Sequence, residues 1–117
     1  MNLGGVDMIE FVGIICIVAG FIFKVFPPRK INSIYGYRTS LSMKNKDTWN
    51  EAQKYSANTF IILGFIYVAL GFVSSHLIEN TSIGYESIII SIGILIMIVL
   101  DEVHLKKVFS KDGSRKL

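Results

Sequence analysis

Three apolar runs, Met8 to Phe26, Ala57 to Ile78 and Ile83 to Val103, constrain this chain more than any other feature. Each approaches the ~20 residues that a helix needs to cross a hydrocarbon core about 30 Å thick. Lipid offers no hydrogen-bond partners, so a crossing segment must satisfy its own peptide groups, which makes all three runs helices. A water-soluble core fails on proportion: 117 residues, 51% hydrophobic with a mean hydropathy of +0.51, carry more apolar side chain than a small domain can bury. The expectation is an all-α integral membrane protein with one three-helix domain over residues 1–105. Its transmembrane helices fall at about 8–26, 57–78 and 83–103, joined by a structured, partly helical cytoplasmic connector over 27–56 and followed by a basic tail over 106–117.

The net charge of +3 does not point to nucleic acid, because the basic residues are grouped by loop rather than gathered on one recognition face. Seven lie between Lys24 and Lys54 and five more follow the third run, whereas the N-terminal segment and the loop from Glu79 to Ser82 hold none. With three crossings, the positive-inside rule predicts an N-terminus outside and a cytoplasmic connector and C-terminus. Asp7 and Glu10 stand where a secretory signal would be positive, so the first run reads as a retained helix. Cys16, the single cysteine, has no disulfide partner in the chain and falls within that helix as a small apolar residue.

Gly13 and Gly20 share one face of the first helix at a spacing of seven, and Ala57, Gly64 and Gly71 repeat the spacing in the second. Small residues let helix backbones approach, so these seams predict packing of the first two helices or self-association into a homo-oligomer. Glu10, His76, Glu79 and Glu86 are expected near the outer helix ends, within reach of headgroups and water. Asp101, Glu102 and His104 belong to the inner end of the third helix. No ionisable residue falls at the centre of a span, which argues against an ion pathway through the protomer.

The connector is the richest segment. It reads Asn32-Ser33-Ile34-Tyr35-Gly36-Tyr37-Arg38-Thr39-Ser40, and Asn45 or Ser42 can cap a helix that carries Trp49, Ala52, Gln53, Ser56, Ala57 and Phe60 on one face. Trp49 then sits at headgroup level or against the Tyr35 to Thr39 segment. Arg38 carries a permanent charge and a planar donor fork, so its expected partner is Asp101 or Glu102, with a lipid phosphate or a partner's acid as alternatives. Catalytic, metal and cofactor readings find no support: the two histidines are assigned to opposite membrane faces, and no nucleophile elbow or phosphate loop is present. The tail, with Asp112-Gly113-Ser114, is expected to be mobile and to touch anionic lipid.

These residues resemble a known signature. Asn32, Tyr35, Gly36, Tyr37, Arg38 and Thr39, then Trp49 with Glu51-Ala52-Gln53, and Gly64 in the following helix, are similar to the motif of the SdpI family of bacterial toxin-immunity membrane proteins. The resemblance implies a multi-pass protein of the bacterial inner membrane that protects against a secreted membrane-active peptide. It also implies a signalling alternative, in which a cytoplasmic regulator is held at the membrane; a small structural subunit of a larger complex is a third reading. Gln53 stands where asparagine is common in that motif, and the chain corresponds to a three-helix unit shorter than the founding member.

Overall fold

The computed structural model describes the backbone of residues 2–3, 6–32, 34, 36–77 and 83–116, and the side chains of 8–32, 34, 36–74 and 85–116. Tyr35, Glu79 and the His76 side chain, each singled out above, lie outside the described residues. Two short strands, β1 (Asn2–Leu3) and β2 (Val6–Asp7), pair antiparallel ahead of α1 (Met8–Val25), α2 (Lys46–Leu77) and α3 (Ile83–Val108). All three helices are long and apolar enough to cross a membrane.

α1 ends where the sequence requires. Phe26 donates the last helical bond, to the Ile22 carbonyl at 2.7 Å, and Pro27 and Pro28 have no amide hydrogen to continue the ladder. α2 runs unbroken from the connector into the membrane segment, so its 32 residues at ~1.5 Å each account for most of the 51 Å long axis. Asn45 caps it: its side-chain oxygen accepts from the Thr48 amide at 2.9 Å while Thr48 Oγ1 accepts from the Asn45 amide at 3.0 Å. α3 continues to Val108, past the expected stop at Val103, because no glycine or proline intervenes and Leu105 is buried against the other elements.

α1 and α2 pack along the small-residue seams. A Cβ on Gly13 would stand 2.7 Å from the Gly64 carbonyl oxygen, and one on Gly20 would stand 2.9 Å from that of Ala57. Gly71 faces Glu10, which completes an antiparallel register along the whole contact. α3 packs mainly on α2, where the Tyr67 hydroxyl donates to the Ile90 carbonyl at 2.5 Å and passes over Gly93. The central core joins Ile9, Cys16, Leu63, Tyr67 and Met97. The outward faces are apolar: Phe11, Val18, Ile62, Phe65, Ile92 and Leu95 are exposed, as a lipid-facing surface requires.

Two expectations are corrected. Glu86 is buried at the start of α3 rather than reaching water. The tail folds back on the helix end: the Ser110 amide donates to the Ser114 carbonyl at 2.8 Å, the Gly113 amide to the Ser110 carbonyl at 2.9 Å, and the Lys116 amide to the Val108 carbonyl at 2.8 Å. Gly113 adopts φ of 89°, a conformation glycine takes without strain, and brings its carbonyl to Asn45 Nδ2 at 2.9 Å. The tail is thereby seated on the cap of α2.

Candidate functional site

The connector closes the end of the bundle where α1 stops, α2 begins and α3 ends. Its geometry starts from the buried face of α2. Trp49, Ala52, Gln53, Ser56 and Ala57 are all at most 2% exposed, which is the three- and four-residue stripe read from the sequence. Trp49 is not a headgroup anchor. Its indole N–H donates to the Pro28 carbonyl at 2.5 Å, tying α2 to the chain just beyond α1.

Gln53 then holds the motif segment by both ends of its amide. Its Oε1 accepts from the Tyr37 amide and its Nε2 donates to the Tyr37 carbonyl, each at 2.7 Å, as a neighbouring β-strand would. Gly36 makes this possible. It has φ of 109°, and a Cβ there would fall 2.7 Å from Gln53 Oε1 and 2.8 Å from Pro28 Cγ. Downstream, the Thr39 amide donates to Ser42 Oγ at 2.7 Å and the Ser42 amide to Thr39 Oγ1 at 3.2 Å, a reciprocal pair that shapes the turn before α2.

Both hydroxyls of the motif converge on α3. Tyr37 donates to Glu102 Oε1 at 2.9 Å and Thr39 donates to the same oxygen at 2.5 Å. Burial first, and then the Glu102 bond, push the Tyr37 phenol above its ordinary value, so it stays a protonated donor. Asp101, 2% exposed, accepts from Thr59 of α2 at 2.9 Å. His104 Nε2 lies 2.8 Å from Glu51 Oε2, and its ring stacks on Tyr55 with centroids 3.8 Å apart.

Arg38 therefore does not take the partner expected for it. Among the described residues it forms no ion pair with Asp101 or Glu102; its neighbours Tyr37 and Thr39 occupy Glu102, and Thr59 occupies Asp101. Arg38 is exposed, at the rim of a slot of ≈ 350 Å³ whose walls include Phe23, Phe60, Ile94, Met97 and Ile98. Asn32 stands apart from this convergence, bonding locally to the Lys30 carbonyl and the Ile34 amide, each at 2.9 Å. Among the described residues no group of three or more His, Cys, Asp or Glu side chains converges on a metal position.

Sequence reasoning passed over Thr59 as the Asp101 partner, Tyr55 under His104 and Arg115 on Asp47, and it placed Gln53 on the α2 face without its clamping role. Gln53 had a usable signal. It lies on the predicted buried stripe, and a buried amide must find backbone partners.

Comparison with known proteins comes to the same segment. Residues 29–100 match the family model described as the SdpI/YfhL protein family. Within the chain, 59 residues are 48% identical to the uncharacterized protein YfhL of Bacillus subtilis (strain 168), covering 50% of this chain and 54% of that protein. The chain thus spans about half the length of the curated relative it matches, and no solved structure matches it. The family match begins at Arg29, takes in the connector, the Trp49 face and the small-residue seam of α2, and covers well over half of the chain, which therefore belongs to the SdpI/YfhL protein family.

Proposed function

We propose that this chain is a non-enzymatic membrane protein that protects its cell against a secreted, membrane-active peptide. Family membership supports an immunity-type role, and the observation that carries it to a site is the exposed Arg38, without an ion pair among the described residues, at the rim of an apolar slot. A membrane-active peptide is amphipathic. Its apolar side chain fits walls such as Phe23, Phe60 and Met97, and a carboxylate on it matches the guanidinium fork. Because Glu102 already accepts two hydroxyl bonds, Arg38 is not needed to brace the connector and is free for a ligand. In this reading the connector lies on the cytoplasmic side, and the peptide meets Arg38 after inserting into the bilayer.

The test is survival. A strain sensitive to such a peptide is expected to become resistant when it expresses the chain, and Arg38→Ala is expected to abolish resistance at unchanged membrane abundance. Equal killing with and without the wild-type chain would sink the reading for that peptide. Resistance that persists in Arg38→Ala, together with loss of a co-isolated soluble protein, would favour a receptor for a cytoplasmic regulator.

A further inference from the structure

We infer that the basic cavity between the connector, the end of α3 and the folded tail is a site for the phosphate headgroup of an anionic phospholipid. The cavity, ≈ 800 Å³, shares no lining residue with the Arg38 slot and is not used by the proposed function. Lys44 reaches it from the connector, Lys106 from α3, and Lys111 and Lys116 from the tail. Among the described residues none of these four ammonium groups forms an ion pair. Lys116 instead donates to the Lys106 carbonyl at 2.8 Å, which fixes one cation at the wall. Ser40 and Ser110 add hydroxyl donors.

The single acid in the lining is Glu102, and one of its oxygens already accepts from Tyr37 and Thr39. Asp112 of the tail, outside the lining, offsets part of the Lys44 charge, but four cations against these two carboxylates still leave a positive excess, and like charges held round one space repel until an anion enters. Contacts elsewhere impose this grouping: Arg115 grips Asp47, and the Gly113 carbonyl accepts from Asn45, so the tail lysines are brought to the cavity rather than left to diverge.

The face of α3 leading to the cavity identifies the source of the phosphate. Val99, Val103 and Lys106 fall at steps of four and three, hence on one face, and both valines are exposed. An acyl chain can lie along Val99 and Val103 while its headgroup phosphate meets Lys106. A free phosphate has no use for that stripe. Lysines suit such a ligand as mobile point charges at the depth where a helix leaves the hydrocarbon.

The experiment uses the full chain purified in a mild detergent and titrated with phosphatidylglycerol or phosphatidylcholine, with retained lipid read by native mass spectrometry. Phosphatidylglycerol is expected to be retained at least about tenfold more strongly, and K44Q/K106Q/K111Q to erase that preference. R29Q/K54Q, which removes charge from the separate cavity beside Pro28, is expected to keep it. Hydrogen exchange of the Gly113 and Lys116 amides verifies that the tail of the triple variant is still folded. Equal retention of the two lipids, or a triple variant that behaves as wild type, overturns the site. Full displacement of phosphatidylglycerol by excess inorganic phosphate overturns the lipid assignment.

Discussion

At the scale of single residues, Gly36 and Gln53 form one device: the glycine's positive φ turns the chain so that the Tyr37 peptide meets the Gln53 amide at both ends. Gly36→Ala puts a Cβ against Gln53 Oε1 and forces a strained φ, with an expected cost of roughly 1–3 kcal/mol. Gln53→Ala leaves the Tyr37 amide without its partner and the Tyr37 carbonyl with only the Ser42 hydroxyl at 3.3 Å, and costs a similar amount, about 1–3 kcal/mol. The double variant is expected to cost less than the sum, since truncating Gln53 removes the atom that the new methyl meets; thermal unfolding of wild type, both single variants and the double in one detergent measures the coupling. Additive losses would show that the two positions act separately. This scale was only half legible in the sequence. The residues of the motif segment were evident from their composition, but Arg38 was assigned the acids because a full charge is the stronger donor. Two neutral hydroxyls hold Glu102 instead, and side-chain direction within an irregular segment has no periodicity from which to read it.

At the scale of elements, the glycine seam decides how closely α1 and α2 approach. A Cβ on Gly64 would fall 2.6 Å from the Gly13 carbonyl oxygen and 2.8 Å from the Ile17 amide, and neither backbone atom can rotate away. Gly64→Leu is therefore expected to separate the helices and to destabilise the bundle by at least about 1–3 kcal/mol, the range found for overpacking. Phe65→Ala next to it removes a side chain that is 57% exposed and faces outward, so its effect in detergent should be much smaller. Comparable losses at both positions would refute the seam as the determinant. Here the sequence was informative, because a spacing of seven marks one helix face whatever the tertiary context. The ends of the elements were less so. α2 could equally have bent at the membrane surface, and the extension of α3 to Val108 follows from Leu105 and Phe109 packing with Ala52, a contact between distant parts of the chain.

At the scale of the whole molecule, the tail joins the two helix ends that flank the connector, and its docking depends on charge. Arg115 reaches Asp47 with two donors, Nε at 3.1 Å and Nη2 at 2.7 Å, and lies 4.9 Å from the Phe109 ring centroid. None of this was legible in a segment that resembles a solvated basic terminus, because Arg115 finds Asp47 only once α2 and α3 stand side by side. The bond from Asp47 raises the Arg115 guanidinium above its ordinary value, so that cation persists at every working pH. Asp112 behaves oppositely: bonds from the Ser114 hydroxyl and amide hold its carboxyl below the usual carboxylate range. A depressed carboxyl contributes stability that is present above its unfolded value, ~3.9, and is lost as the pH falls through the lower folded value. Tail docking is thus expected to be constant through neutral pH and to loosen only in acid below about pH 4. Hydrogen exchange of the Gly113 and Lys116 amides is the direct measure, and Arg115→Gln should speed it at neutral pH while Asp112→Asn should lessen the acid transition, the rest of which belongs to Asp47, whose carboxyl the Arg115 bonds also hold below its ordinary value. Loosening near neutrality in the wild type would refute the assignment of docking to these carboxylates.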